Sequence, residues 1–317
     1  MDKHPNHADY YLRAADRDGR LRVLVGRTSQ LVDEARRRHG TSPVATAALG
    51  RTLTATALIG TTLKDDQTVT MRIDGGGPTG GIISVADALG RVRGYLQNPN
   101  AEMELMGPGK LNVGMAVGRK GFIHVTKDLG LKEPYTGSAP LVSGEIAIDL
   151  ASYFTRSEQT PSAVGLGVLV DPDESVRAAG GIIVQLLPEK DGGDDEVYLK
   201  ERLADLEQNL ASISSISHAI DDGATPEDIL ETVLKGLHPE ILEHGSLSYF
   251  CPCSREKARG LLATLGRQEI DDIIAKGEGT ELVCRFCGDR YNFDNAEVEA
   301  VRAEMGAGGT DRVVHDD

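Results

Sequence analysis

The sequence contains no tryptophan, and aromatic residues fill only 4% of its 317 positions. A core in such a chain has to be packed from Leu, Ile, Val and Ala rather than from rings. No apolar run approaches the roughly 18 residues of a membrane-spanning helix. "GGIIVQLL", among the longest, falls far short, so no membrane partner is expected. The opening "MDKHPNHADYYLRAADRDGR" has no apolar stretch of the secretory type, which predicts a cytoplasmic protein. Basic charge is also in deficit: 34 Lys and Arg face 49 Asp and Glu, a net charge of −15. A surface of that sign does not attract nucleic acid or anionic lipid.

Catalytic patterns are missing too. "GGGPTGG" (75–81) lacks the Lys-Ser/Thr of a phosphate-binding loop and reads as turn glycine. No Gly-x-Ser-x-Gly elbow is present. His39, His124, His218, His238 and His244 are scattered and read as surface or packed residues. No enzyme is expected. The most informative absence is that of cysteine, which does not occur in the first 250 residues; Cys251, Cys253, Cys284 and Cys287 then follow within one short stretch.

The pattern along the chain predicts an α+β fold, with a mostly antiparallel N-terminal sheet and packed helices over residues 1–190. "LRVLVG" (21–26) and "VTMRIDG" (69–75) read as strands, and "GIISVADALGRVRGYLQ" (81–97) as a hairpin. "LNVGMAV" and "GFIHVTKD" read as a further strand pair, and "SAVGLGVLV" with "VRAAGGIIVQLL" as another hairpin. Ser42-Pro43 caps a helix of small residues suited to close packing on a sheet. "SGEIAIDLASYFTRSEQ" reads as a helix starting near Ser143.

"EKDGGDD" (189–195) marks a boundary, after which a helical linker is expected over 191–237. Leu199, Leu203, Leu206, Leu210, Ile213, Ile216 and Ile220 form one apolar stripe along a single helix. Thr225-Pro226-Glu227-Asp228 opens a second helix. A small four-cysteine domain is expected over 238–295 and a frayed tail over 296–317.

Four clustered thiols point to a metal before structural disulfides. Four thiolates give Zn(II) a closed tetrahedral site with no position left for water, which disfavours catalytic zinc. "CRFCG" has the form of a zinc knuckle, with Gly288 permitting the tight turn. Acidic and basic side chains balance between 251 and 287, which weakens a nucleic-acid-binding module. An oxidoreductase of the thioredoxin type fits poorly, because "GDRYNF" after Cys287 reads as a turn into a strand and not as a helix. Arg255, Lys257, Arg259, Arg285 and Arg290 flank the thiols, either to offset thiolate charge or simply to solubilise the segment. A redox switch is a further reading, since each short-spaced pair can close on itself as a local disulfide. On the residues alone, structural zinc and a redox switch both stand.

"CPC" with "CRFC" at this spacing resembles the redox-regulated 33-kilodalton heat-shock chaperones, a family of zinc-binding, ATP-independent holdases. "GRVRGYLQNP" (90–99), "YFTRSEQTPSAVGLGVLVDPD" (153–173) and "AAGGIIVQLLP" (178–188) resemble that family as well, and the likeness runs over about residues 20 to 294. The resemblance implies that Cys251, Cys253, Cys284 and Cys287 hold one Zn(II) per chain in a reduced, inactive form. It implies that oxidation joins Cys251 to Cys253 and Cys284 to Cys287 and expels zinc. The linker would then loosen, and the oxidised protein would dimerise and hold unfolding client proteins.

Overall fold

The computed structural model describes residues 8–16, 19–107, 109–187, 196–213, 215–237 and 239–307. They form two compact units, one up to Phe250 and one from Cys251. The first unit is α+β, as the sequence predicts. Its elements are β1 (Tyr10–Ala15), β2 (Leu21–Arg27), α1 (Ser29–His39), α2 (Pro43–Gly60), β3 (Thr68–Asp74), β4 (Ile82–Asp87), β5 (Arg91–Leu96), α3 (Val113–Val117), β6 (Phe122–Asp128), β7 (Tyr135–Pro140), α4 (Ile146–Ser157), β8 (Ser162–Val170) and β9 (Val176–Leu186), then α5 (Glu196–Ser212), α6 (Ile216–Asp221), α7 (Pro226–Val233), β10 (Glu240–Ser246) and β11 (Ser248–Tyr249). They build one five-stranded sheet, β10-β1-β2-β9-β8, and one six-stranded sheet, β11-β5-β4-β3-β6-β7. All pairings are antiparallel except the short β11–β5 pair.

Helix α2 lies between the sheets and touches strands of both. Nearly every residue in it is buried, from Val44 to Gly60, and its Ala, Gly and Thr side chains let both sheets approach closely. A helix buried all round has to satisfy its own polar groups. Thr52, Thr54 and Thr56 each donate back to the carbonyl four residues earlier, at 2.9, 2.8 and 2.7 Å. Thr54 also meets Thr28 after β2, and Thr56 meets Ser84 of β4, so the same hydroxyls tie the helix to both sheets.

Several sequence expectations differ from the structure. "LNVGMAV" is helical over α3, because Asn112 caps it by accepting the Met115 N–H at 3.3 Å. β6 pairs instead with β3 and with β7, a strand whose sequence "YTGSAP" carries little strand signal. The helix expected near Ser143 starts at Ile146, since the buried Asp149 carboxylate captures the N–H groups of Val142 and Ser143 at 2.7 and 2.9 Å and holds that segment as a turn.

A further difference concerns the linker. The stripe spans two helices, α5 and α6, rather than one. Ser212 turns its hydroxyl back onto the Asn209 carbonyl at 2.5 Å, and Ser215, at the N-cap position of the next helix, has its hydroxyl on that of Ser217 at 2.9 Å. Serines of this kind compete with helical backbone bonds, so the run "ASISSIS" is where the stripe breaks. The stripe still works as one surface. Leu206, Ile216 and Ile220 are buried against Leu12, Val23, Val25, Ile182 and Val184 of the five-stranded sheet, with Leu203, Leu210 and Ile213 packed alongside. Close approach depends on glycine: a Cβ on Gly180 of β9 would meet Ile220 Cδ1 at 2.3 Å, and one on Gly167 of β8 would meet the Ser217 backbone at 2.6 Å. Arg177 of β9 pairs with Asp221, and Tyr10 donates to Glu227 at 2.6 Å. The side chain of Leu199 and the "EKDGGDD" boundary lie outside the described residues, as does His238.

Residues 240–249 belong to the sheets of the first unit, so the compact second unit starts after Phe250 rather than at 238. It comprises α8 (Arg255–Leu262), α9 (Arg267–Lys276), β12 (Thr280–Val283), β13 (Arg290–Phe293) and α10 (Asn295–Ala307). Of the tail expected to fray over 296–317, residues 296–307 belong to α10 instead, with Val298 and Val301 fully buried beside Phe293, and 308–317 lie outside the described residues. Among the described residues no helix is long and apolar enough to cross a membrane.

Two predictions follow from the first unit. Asp9 aims its buried carboxylate at the first turn of α1, where Oδ2 accepts the Leu31 N–H at 2.6 Å. Burial outweighs that bond and pushes the Asp9 carboxyl up to about 6 from 3.8. A folded pKa raised above the unfolded value gives stability that is full below pH 3.8 and lost as pH rises through 6. Urea unfolding of wild type and Asp9→Asn should therefore show their difference shifting toward wild type on acidification from pH 7.5 to 4.5, by roughly 2–3 kcal/mol. A pH-independent difference would rule out the buried charge. At α7, Thr225 accepts the Asp228 N–H at 3.2 Å while Asp228 accepts the Thr225 N–H at 2.8 Å. Thr225→Ala should cost about 1 kcal/mol in the same measurement.

Candidate metal centre

The two cysteine pairs are delivered by different local devices. Cys251-Pro252-Cys253 ends at Ser254, which caps α8 by accepting the Lys257 N–H at 3.2 Å. The Lys257 ammonium folds back onto the Pro252 carbonyl at 2.6 Å and braces the short pair. Cys284 and Cys287 lie on the turn between β12 and β13, which pair antiparallel from Thr280–Phe293 to Val283–Arg290. Within the turn, Cys287 and Gly288 both donate to the Cys284 carbonyl, at 3.3 and 2.8 Å, and Cys284 N–H closes onto the Asp289 carbonyl at 2.9 Å. Gly288 has φ 76°, a left-handed conformation that glycine adopts without steric cost.

These devices bring all four sulfurs within 4.8 Å of one another. Cys251 Sγ lies 3.7 Å from Cys284 Sγ, and Cys253 Sγ lies 3.2 Å from Cys287 Sγ. Both contacts therefore link one sequence pair to the other. A tetrahedral zinc thiolate with bonds of about 2.3 Å has sulfur–sulfur edges of about 3.8 Å, so the arrangement fits such an ion after small adjustments. The donor set fits as well: four soft thiols suit zinc or iron over hard cations. Cys287 is buried and the other three are half-buried.

Backbone N–H groups converge on the sulfurs. Burial pushes the Cys284 thiol up, but the N–H groups of Phe286 and Cys287, together with hydrogen bonds from the Cys287 and Cys251 thiols, outweigh it and leave it below its ordinary value. Burial raises Cys287 against the opposing Asp289 N–H. It raises Cys251 to about 11 against the Cys253 N–H. A bound cation reverses that balance by favouring every thiolate.

Three of the flanking cations, Arg255, Arg259 and Arg290, pair with carboxylates rather than with the sulfurs. Arg255 pairs with Glu297 at 2.7 Å and lies over the Phe293 ring, Arg259 pairs with Glu304 at 2.7 Å, and Arg290 pairs with Glu281 at 2.6 Å. They join the helices and strands of the second unit. Two residues with direct access to a sulfur escaped the sequence reading. The Tyr291 hydroxyl donates to Cys253 Sγ at 3.1 Å, and Asp289 Oδ2 lies 3.7 Å from the same sulfur. Strand alternation from the buried Phe293 places Tyr291 on the inner face of β13, and that was the available signal.

Comparison with known proteins agrees with this geometry. The family model described as "Hsp33 protein" matches residues 9–294. The 33 kDa chaperonin of Desulforamulus reducens is 50% identical over 293 residues, covering 92% of this chain and 97% of the relative. That of Bacillus subtilis is 47% identical over 294 residues, covering 93% and 98%. The crystal structure of the 33 kDa chaperonin (heat shock protein 33 homolog) of Thermotoga maritima superposes with a TM-score of 0.85 at 37% identity, covering 95% of this chain and all of that one. With a matched fold, near-complete coverage and four thiols gathered at one point, the chain belongs to the Hsp33 protein family.

Proposed function

We propose that this protein is a cytoplasmic, ATP-independent chaperone that binds unfolding client proteins and is switched on by oxidation of Cys251, Cys253, Cys284 and Cys287. The observation that carries the reading is the convergence of these four sulfurs, from two separate segments, within 4.8 Å. In the reduced form the four thiolates hold one Zn(II) per chain. That ion supplies no reaction chemistry; it ties the segment of α8 to the β12–β13 turn.

Oxidation joins Cys251 to Cys253 and Cys284 to Cys287. Each pair of thiols gives two electrons to one peroxide, forming one disulfide and two waters. Energetics favour unfolding of the second unit when this happens. Its apolar core is small, built on Ala258, Leu262, Ile270, Phe293, Val298 and Val301. Structural zinc contributes about 10–16 kcal/mol in comparable small domains. A disulfide closing so short a loop restores only about 2 kcal/mol by chain entropy.

The linker is the second part of the switch. Chain continuity runs from α7 through β10 and β11 to Cys251. Loosening transmitted along it frees Leu206, Leu210, Ile216 and Ile220 together with the sheet surface beneath them. Newly exposed apolar area of this kind is what an unfolding client recognises, and it also favours pairing of two oxidised copies as a homodimer.

The reduced, zinc-loaded protein treated with hydrogen peroxide at mildly elevated temperature should release its zinc to a chelating dye. Over the same interval it should begin to suppress light scattering by a heat-denaturing client. Zinc kept, or lost with no gain in holding, would leave the metal a purely structural role. Leu206→Ser combined with Leu210→Ser should hold clients constitutively while reduced and zinc-loaded. If that variant stays inactive until oxidised, the stripe serves packing alone.

A further inference from the structure

The chain reaches its first cysteine along a short segment that both sheets of the first unit hold. β10 pairs with β1 as far as Ser246, and β11 pairs with β5 from Ser248, so Leu247 stands where the chain crosses from one sheet to the other. Its side chain is 4% exposed and belongs to the same core as α2. Glycines make room for it. A Cβ on Gly26 would meet Leu247 Cδ1 at 3.1 Å, and one on Gly90 would meet the Ser246 carbonyl oxygen at 2.3 Å and Leu247 Cδ2 at 3.2 Å. Backbone bonds follow in series: Leu247 N–H to the Asp9 carbonyl at 3.0 Å, Ser248 N–H to the Gly90 carbonyl at 3.0 Å, and Phe250 N–H to the Val92 carbonyl at 2.9 Å. Arginines cover the two rings. Arg38 lies 5.6 Å from the centre of the Tyr249 ring, whose hydroxyl meets His39 Nε2 at 3.2 Å, and Arg91 lies 4.7 Å from the centre of the Phe250 ring. β10, just upstream, has no buried residue, and its Glu243 holds Tyr11 and Arg13 in partly exposed contacts. The attachment of the whole stretch 240–250 is therefore concentrated in its last four residues.

We propose that residues 247–250 are a latch that stops loosening of the second unit at Phe250 and keeps it from β10 and the linker until the latch itself opens. The inference rests on the redox reading of the second unit. Local opening spreads along a chain through segments with little buried apolar surface and halts where a well-packed side chain has to leave its core. Coming from Cys251, the first such side chain is Leu247. Withdrawing it exposes a leucine and empties its seat beside Gly26 and Leu58. Once it leaves, nothing of comparable burial stands in β10, and the opening runs on toward α7. The latch thus separates two events that chain continuity alone would join: loss of the sulfur staple, and release of the linker.

The full-length, reduced, zinc-loaded protein tests this when oxidised with hydrogen peroxide over a series of temperatures. Wild type is compared with Leu247→Ala, Phe250→Ala and Leu150→Ala, the last a cavity in the same core at α4. Zinc release to a chelating dye, suppression of light scattering by a denaturing client, and hydrogen exchange at the Leu247 and Ser248 amides are followed together. Phe250 is 41% exposed, so its replacement removes the ring against Arg91 without opening the core, and it carries the test alone should Leu247→Ala not fold. Phe250→Ala should speed exchange at the two amides about two- to fivefold, and Leu247→Ala by more than about thirtyfold. In both, holding should begin at a lower temperature than in wild type once zinc is released. Leu150→Ala should lower the urea midpoint but leave the holding temperature in place. An unchanged holding temperature in Phe250→Ala, or an equal fall in Leu150→Ala, overturns the latch and leaves the switch intact. Fast exchange at Leu247 and Ser248 in oxidised wild type that holds no client overturns it as well. Wild type that keeps its zinc, or never holds clients, removes the switch reading and this inference with it.

Discussion

Everything distinctive about the second unit depends on four sulfurs being held together by residues that are distant in sequence. Cys251 and Cys253 precede α8, whereas Cys284 and Cys287 follow two helices and a strand. The buried apolar residues between them are few, and the ion pairs Arg255–Glu297, Arg259–Glu304 and Arg302–Asp271 are exposed. Exposed pairs of this kind contribute about 0–1 kcal/mol each. A domain of this size, with so small a core, needs a staple. Among the described residues of the unit, the sulfur cluster is the feature positioned to supply it.

The first unit has the opposite economy. Helix α2 contacts both sheets, three of its Thr hydroxyls bond back to its own backbone, and the unit contains no cysteine. Its stability is spread over many apolar residues, from Leu24 to Ile183. In the proposed switch, the sheet that carries the linker therefore stays folded when the sulfur staple is lost and presents the surface that is uncovered. The linker itself lies between these extremes. Leu206, Ile216, Ile220, Ile229, Leu230 and Val233 bury it on the sheet, whereas the Arg177–Asp221 and Tyr10–Glu227 contacts in its middle are open or partly open to water.

How much of this could be read in the sequence depended on whether the signal was local. The hairpins β4–β5 and β8–β9 and the cap at Thr225 were legible, because alternation and capping chemistry act over a few residues. α3 was misread as a strand: "LNVGMAV" alternates, but the Asn112 cap and its packing against α2 decide the matter. β7 and β10 were missed because their polar, glycine-containing sequences become strands only by pairing with β6 and β1. The break at Ser212–Ser215 was hidden by an apolar stripe that continues across it. The four cysteines were found by their spacing, which is local within each pair. Tyr291 was not, because its value comes from reaching Cys253, 38 residues away.

The pattern of sulfur contacts gives the proposed switch its direction. The close approaches, Cys251 to Cys284 and Cys253 to Cys287, run between the two segments. A disulfide across either of them would replace the metal with a covalent clamp and keep the unit folded. A disulfide inside each pair spends the same thiols on loops of three or four residues and leaves the segments unjoined. Each pair is tethered by its own short chain at high effective concentration, and that concentration persists when the segments separate, whereas the cross-segment contacts do not. Mild unfolding and oxidation therefore reinforce one another. Any loosening selects the pairing that cannot hold the domain, and that pairing makes the loosening permanent until the thiols are reduced again.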